Sequence, residues 1–507
     1  MIAPFSVRFR SVSGPFTFQH RSIIGSEQKI ICCLNRFEYI MYHRFIIVLL
    51  LALCASGAWA VSPSGTLPVM YISTKNNQAV SRDNAVDATL YVVGYGDYPA
   101  LGDADNQIPL TIKGRGNWTW SGFDKKPYKI VFAKGYGQKL LGMHKSKHWA
   151  LLAEADDWLG FLKNTVGFSL SKHIGLPYTP HRVPVELVLN GDYKGLYFVT
   201  ETIRIDNDRV NIHEQEDGET DPSLITGGWL VEIDNYWEDG NISFYEDNGQ
   251  RVMVTPKSPE DLSSVQRDYI TSQLLDLNDA IYNHGSQPLQ DILDITDAAK
   301  FYLVQEIMED CESYHGSCFL YKDRDSTANP LTANPLTVIP KWHFGPVWDF
   351  GNAFDRHKER FIYDQPSFSQ IWTEQLCRNE LFAERVLQLW HDYRQHAHDK
   401  VLADIDAFVS LISSAAKRDA ERWQNTNVRN NSDMSGRKQE LLSRLNWRIN
   451  WLYSQWGEGL ESPATDVEQQ QPDQPSPTNR SKIVFSNGQL LIQHNGRRYT
   501  LTGERLE

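Results

Sequence analysis

With 507 residues, 41% of them apolar and 12% aromatic, the chain can bury at least one substantial core, which excludes a disordered or fibrous class. Its 63 acidic and 50 basic side chains leave a formal net charge of -13. That balance argues against nonspecific binding to nucleic acid or to an anionic membrane, since both need a basic surface. An acidic protein that handles phosphates must recruit metal cations or a local group of Lys and Arg.

Residues 1–40, basic through Arg8, Arg10, Arg21, Lys29 and Arg36, read either as sequence upstream of the true start or as a long n-region. Met41 then opens a short basic stretch with Arg44, followed by an apolar run over 45–53 and the small-residue site Ala58-Trp59-Ala60. This is the pattern of a signal peptide over 41–60, cleaved before Val61, and its apolar run is too short to span a membrane. Cys32, Cys33 and Cys54 leave with it, while Cys311, Cys318 and Cys377 stay. Three cysteines cannot build a dense disulfide framework; a bridge between Cys311 and Cys318 and buried free thiols both remain open.

From 61 to about 131, short alternating runs such as Leu90-Tyr91-Val92-Val93 and Leu110-Thr111-Ile112 predict antiparallel strands. Behind the second run stand Lys113-Gly114-Arg115-Gly116-Asn117-Trp118-Thr119-Trp120 and then Lys125-Lys126-Pro127-Tyr128-Lys129. A glycine-flanked turn lets the backbone approach an oxyanion, and Arg115 with nearby lysines neutralises its charge. Phosphate binding is one reading of this segment and a solvated surface turn is the other. Strands are expected again over 183–189, 195–200 and 229–233, with Asn190-Gly191 as a hairpin turn.

Helices come later. Asp294 or Thr296 caps one through Phe301, Val304 and Met308; Phe382, Val386, Leu389 and Tyr393 mark another; the last covers 441–452 and stops at Gly457. Between the first two lie Glu312-Ser313-Tyr314-His315-Gly316-Ser317, a strand at 318–321, and Trp348-Asp349-Phe350-Gly351-Asn352. Phosphoryl transfer needs one carboxylate to orient the attacking hydroxyl and another to hold Mg²⁺ on the nucleotide phosphates. Protein kinases place these as a catalytic Asp, an Asn five residues later and a DFG Asp beyond a hairpin. Glu312 and Ser317 have that offset, and Asp349-Phe350-Gly351 spells the third element. For Asp349 a turn or cap after a buried strand is the plainer alternative. The near-repeat of Thr-Ala-Asn-Pro-Leu-Thr within 327–340 reads as a loop insertion. Trp118, Trp120, Trp348 and Trp390 suggest a carbohydrate platform, although most large aromatics are core. The histidines are unclustered along the sequence and read as satisfied polar neighbours rather than ligands.

Past Gly457 the composition turns to Glu, Gln, Pro, Ser and Asp, so 458–480 reads as a disordered linker. Strand-like runs at 482–485, 490–492 and 498–501, separated by Asn487-Gly488 and Asn495-Gly496, form a β-meander over 481–507. It resembles the C-terminal sorting domains of the type IX secretion system through Asn487-Gly488-Gln489-Leu490 and Leu501-Thr502-Gly503. A small packing hairpin is the other reading.

The order Arg115-Gly116-Asn117, Lys125-Lys126-Pro127-Tyr128, Leu140-Leu141-Gly142-Met143, Trp149-Ala150-Leu151-Leu152, Asn164, Ile174-Gly175-Leu176, 190–197, Glu201, Lys257-Ser258-Pro259-Glu260 and 345–349 resembles the spore coat protein H (CotH) kinase-like family over roughly 105–455. The resemblance implies an α+β, atypical bilobal protein-kinase-like fold over 61–457, with a β-rich N-lobe to about 255 and a helical C-lobe from about 256. It implies ATP and Mg²⁺ (or Mn²⁺) as cofactors, an exported protein substrate, and no nucleic acid or membrane span. Asp349, with Ser317, would hold the metal; Glu312 would act as base or orienter; Arg115 with Lys126 or Lys129 would contact phosphates; Glu201 would orient that lysine or cap the turn. Family members usually have Asp where this chain has Glu312, and often WDFD where it has Trp348-Asp349-Phe350-Gly351; Ser317 is also a poorer metal ligand than the Asn that protein kinases place at that offset. Glu312 and Ser317 keep a second reading alive, a weakly active or inactive surface or extracellular binding protein. Delivery outside the cell, through the leader and the tail, goes with either.

Overall fold

The computed structural model describes residues 61–461, except 286, 328–336, 339, 357, 365–369 and 430–431, together with strands at 482–486, 489–494, 497–500 and 505–506. The segments read as upstream sequence and signal peptide, most of the expected insertion and most of the expected linker lie outside the described residues.

Seven strands close into a barrel. β1 (Val69–Thr74), β2 (Val86–Val93), β3 (Ile108–Gly114), β4 (Tyr128–Phe132) and β5 (His148–Leu152) are successive antiparallel neighbours. β6 (Arg182–Leu189) and β7 (Asp192–Glu201) form a hairpin; β7 pairs with β5, and β6 runs parallel to β1 to shut the ring. The turn is Asn190-Gly191, both at positive φ as such a two-residue turn requires. Met70, Ile72, Leu90, Leu110, Ile130, Trp149, Val185 and Leu187 fill the barrel interior. Most of these strands fall where the alternation predicts, but β5 lies outside the predicted runs and closure is not foreseen: period-2 patterning reports one buried face per strand and not whether the last strand meets the first. From Leu196 on, β7 is buried on both faces, because its outer face is covered by a helix, α8 below.

α1 (Trp118–Gly122) is a short helix between β3 and β4, and α2 (Lys163–Ile174) lies between β5 and β6. A second, antiparallel sheet orders β14 (His343–Phe344), β11 (Cys318–Lys322), β8 (Trp229–Ile233), β10 (Arg251–Ser258) and β9 (Ile242–Tyr245). β12 (Ser326–Thr327) pairs with β13 (Thr337–Val338) at the base of the insertion. The expected N-lobe boundary near 255 thus falls inside β10, in a sheet whose strands come from both sides of it.

The helices are α3 (Ser264–Tyr282), α4 (Leu289–Ile292), α5 (Ile295–Met308), α6 (Thr373–Arg378), α7 (Glu380–Asp392), α8 (His398–Arg422) and α9 (Met434–Trp456). Asp294 caps α5 by accepting from Asp297 N at 2.9 Å, and Gly457 follows α9 at positive φ, both as the sequence indicates. A Ser263–Gln266 capping box starts α3. α2 packs on α5 and α8, so Val166, Leu170, Phe301, Val304, Leu387 and Ile405 belong to one core. The protein is a mixed α+β structure. Folded chain continues past Gly457: Leu460 N donates to Leu387 O at 3.1 Å.

One ion pair ties the barrel to α8. Lys125 Nζ sits 2.8 Å from Asp419 Oδ1, both side chains fully buried, and Lys125 also donates to Leu196 O at 2.6 Å. Gly195, at φ +96°, is required there, since a Cβ on it would lie 2.0 Å from Asp419 Oδ1. Cys311, Cys318 and Cys377 are buried free thiols. Among the described residues no helix is long and apolar enough to cross a membrane. The tail forms an antiparallel sheet of β15 (Lys482–Ser486), β16 (Gln489–His494), β17 (Arg497–Thr500) and β18 (Arg505–Leu506).

Candidate active site

A cleft of about 1040 Å³ is lined by the β3–α1 loop, β4, the start of α2, β8, the end of β10 and the segments around 312–317 and 348–352. Arg115, Lys129, Glu312, Ser317 and Asp349 all line it.

The Asp349-Phe350-Gly351 turn is anchored from behind. Phe350 is fully buried and lies so close on α2 that a Cβ at Gly167 would be 2.2 Å from its ring. Its backbone N–H donates to Asn164 Oδ1 at 3.2 Å, and buried Lys163 donates to Gly351 O at 2.7 Å. With Phe350 pinned, Asp349 is left exposed in the cleft at φ +58°, a conformation that costs a non-glycine residue energy and that the anchors maintain.

Other carboxylates converge on it. Asp349 Oδ1 and Asp156 Oδ2 both flank Gly351, lying 3.2 Å and 3.5 Å from where a Cβ on it would sit. Burial, together with the Asp349 charge, pushes the Asp156 carboxyl up to about 6. Burial and the same charge also raise Glu312. Behind them Asp310 is held well above the usual carboxylate range, first by burial and then by Glu312. Glu312 is clamped by two amides: Asn352 Nδ2 donates to Oε2 and Asn235 Nδ2 donates to Oε1, the latter at 3.3 Å. Crowded carboxylates that disfavour each other's charge are a donor set suited to a hard divalent cation.

Opposite stands a basic group. The Arg115 guanidinium lies 5.6 Å from the centre of the Trp348 ring, and Arg82 Nε holds the loop by donating to Gly116 O at 2.7 Å. Lys129 is exposed in the cleft, and partial burial with the charges of Arg204, Lys113 and Arg115 lowers its ammonium against the opposing pull of Glu260. Clustered cations that repel one another accommodate an oligoanion. Also lining the cleft, Lys257 Nζ meets Glu232 Oε2 at 2.7 Å; burial pushes the Glu232 carboxyl up to about 7 despite that lysine.

A family model described as CotH kinase protein matches residues 112–452, well over half the chain. The chain belongs to the CotH kinase family. No curated protein matches it at a significant level.

Within this family member the structure separates two of the expected site residues from the cleft. Lys126 donates from Nζ to Trp120 O at 2.6 Å and lies against the Trp120 ring, outside the cleft lining. Alternation along β4 explains this: Lys129 falls on the face that Lys126, before the strand, does not share. Glu201 ends β7 fully buried, accepting from Tyr178, His181 N and His181 Nδ1, and orients no lysine of the cleft. Asp156, Asn164, Glu232, Lys257 and Asn352 line the cleft although sequence reasoning gave them no role. One signal was available: Glu232 is the single acid in the apolar strand Trp229-Leu230-Val231-Glu232-Ile233, and a buried charge in such a run needs a partner. Among the tryptophans, Trp390 is core, while Trp118 is 61% exposed at the cleft.

Proposed function

We propose that this protein is an exported atypical protein kinase that transfers the γ-phosphoryl group of ATP to hydroxyls of exported proteins. The observation that carries the reading is the single cleft in which Arg115 and Lys129 face the carboxylates Asp349, Asp156 and Glu312. In this reading the barrel side is the N-lobe and the helical side the C-lobe of a bilobal kinase. Asp349 and Asp156, with Ser317 and Asn352 at hand, would hold Mg²⁺ or Mn²⁺. Bound there, the cation neutralises phosphate charge as it develops. Arg115 and Lys129 bind phosphate oxygens, and the Lys257–Glu232 pair keeps a third cation in place. Glu312 accepts the proton of the acceptor hydroxyl while that oxygen bonds the γ-phosphorus and the bond to the β-phosphate oxygen breaks. The two amides fix its carboxylate for this task. The 41–60 leader and the type IX-like tail fit delivery beyond the inner membrane to the outer surface or the medium.

The same clamp favours a second reading: a Glu312 whose two oxygens are both engaged, beside Ser317, suits a binding protein that has lost the chemistry. The purified protein is expected to rise in melting temperature with Mg-ATP and to incorporate label from γ-labelled ATP into itself or a generic acceptor. Asp349→Ala should lower the transfer roughly 10²- to 10³-fold. Glu312→Asp separates the readings: a site with working geometry responds in rate, whereas a binding protein stays inert. No Mg-ATP stabilisation and no effect of Asp349→Ala would remove the kinase reading.

A further inference from the structure

Glu201 is a buried carboxylate whose hydrogen bonds all fall on one of its two oxygens. All three donors that reach it, Tyr178 OH at 3.0 Å, His181 N at 3.0 Å and His181 Nδ1 at 2.9 Å, go to Oε2. Oε1 is buried and has no hydrogen-bond partner, on a side chain with no solvent exposure at all. Such an atom costs free energy unless something meets it. What faces Oε1 is the imidazole of His144, whose Nδ1 is 3.7 Å away, too far for a hydrogen bond.

The geometry points to a first-row transition-metal site, of the Zn²⁺ class, formed by His144, His181 and Glu201 at the rim of the barrel. One ligand atom from each lies within 4.8 Å of the other two. In a tetrahedral shell with bonds of about 2.0–2.1 Å, neighbouring ligand atoms stand about 3.3 Å apart. The nearest separations run to different oxygens, 2.9 Å from His181 Nδ1 to Oε2 and 3.7 Å from His144 Nδ1 to Oε1, each within about 0.4 Å of that edge. A cation there, held by one carboxylate oxygen, takes the place of the proton between His181 and Oε2 and supplies the positive charge that the unpartnered Oε1 lacks. The second ring nitrogen of His144, Nε2, lies 3.9 Å from Asp208 Oδ1, beyond hydrogen-bond length but on the side from which a carboxylate can close on and orient a metal-bound imidazole. The exposed rings leave the fourth position to water.

The site is separate from the cleft, since neither histidine nor Glu201 lines it. It joins adjacent parts of the barrel: His144 precedes β5, His181 directly precedes β6, and Glu201 pairs with Trp149 of β5 at the end of β7. This corrects the expectation that the histidines are unclustered, which holds along the chain and fails in space. The other compact group of this kind, Asp294, Asp297 and His343, differs. There Lys300 already neutralises Asp297 at 3.1 Å, and Asp294 caps α5.

The test is a Co²⁺ titration of the chelator-stripped protein in excess Mg²⁺, which occupies carboxylates such as those of the cleft. One equivalent should produce the visible absorption of four-coordinate Co²⁺, and one equivalent of Zn²⁺ should abolish it. His144→Ala and His181→Ala should each weaken binding at least ~100-fold, and Asp208→Asn roughly tenfold. Asp349→Ala should leave it unchanged. Because His144 is exposed, His144→Ala should melt with the wild type in chelator and lose only the rise that Zn²⁺ confers. Absence of the four-coordinate spectrum, or the same Co²⁺ affinity in both histidine variants, would overturn the assignment.

Discussion

Lys125 and Lys257 each meet a carboxylate at hydrogen-bonding distance, 2.8 Å to Asp419 and 2.7 Å to Glu232, yet one pair is sealed and the other opens on the cleft. Both Lys125 and Asp419 have no side-chain exposure, and their remaining bonds go to the backbone of Leu196. Lys257 keeps 27% of its side chain exposed. A sealed pair can only hold structure, because nothing can exchange with it without unfolding. An open pair can trade its partner for a ligand. Burial, more than residue type or distance, divides structural from functional lysines here. The largest effect that tests this is Asp419→Ala, which strands a buried ammonium and should cost about 3–5 kcal/mol in urea denaturation. Lys257→Ala should cost about 1 kcal/mol or less, since its side chain is partly exposed and Glu232 can protonate, but should remove most Mg-ATP stabilisation. Equal losses of stability in the two variants would break the distinction.

The contrast also shows what could be read from the sequence. Turns and caps are local, so Asn190-Gly191, Asp294 and Gly457 appear where the residues indicate. Most of the strands before 201 follow from alternation. Barrel closure does not, because the parallel contact of β1 with β6 is a fact about distant segments. The cleft was half legible: Arg115, Glu312 and Asp349 stand in motifs whose spacing carries chemistry. Asp156 stands in Glu154-Ala155-Asp156-Asp157, which looks like any acidic loop until Gly351 is brought beside it. Lys125, Lys126 and Lys129 are indistinguishable in composition. Only the fold sends the first into the core, the second onto Trp120 and the third into the cleft.

A pH titration sharpens the comparison with a smaller effect. Glu232 lies under Lys257, with Asp234, Glu238 and Arg115 within electrostatic reach, and burial raises it from 4.5 to about 7. The native state therefore holds a proton that the unfolded chain has released between those values. This group's contribution is full below about pH 4.5 and is lost as pH rises toward and through about 7. Glu232→Gln keeps the neutral form at every pH. The wild type should lose roughly 3 kcal/mol more stability than Glu232→Gln between the two limits, read from urea midpoints across the range. Parallel pH profiles would mean that Glu232 stays ionised and that Lys257 is bound as tightly as Lys125.

The smallest expected effect belongs to Lys126, and it isolates placement from charge. Lys126 and Lys129 are three residues apart and chemically identical. Lys126 Nζ is satisfied by Trp120 O at 2.6 Å and lies 5.6 Å from the centre of the Trp120 ring, whereas Lys129 projects into the cleft among Arg115 and Arg204. Lys126→Ala removes one hydrogen bond and a partly exposed cation–π contact, about 0.5–1 kcal/mol of stability. It should leave Mg-ATP affinity within about twofold, as a substitution outside the site does. Lys129→Ala takes a cation from a cluster in which Arg204, Lys113 and Arg115 repel it and Glu260 attracts it. It should leave stability unchanged or slightly improved by relieving repulsion from Arg204, Lys113 and Arg115, and weaken Mg-ATP roughly tenfold, about 1.4 kcal/mol. Calorimetric titration of both variants reads the difference directly. If Lys126→Ala weakens the nucleotide more than Lys129→Ala, the ligand reaches α1 rather than β4 and the phosphate end of the cleft has to be redrawn around Trp120.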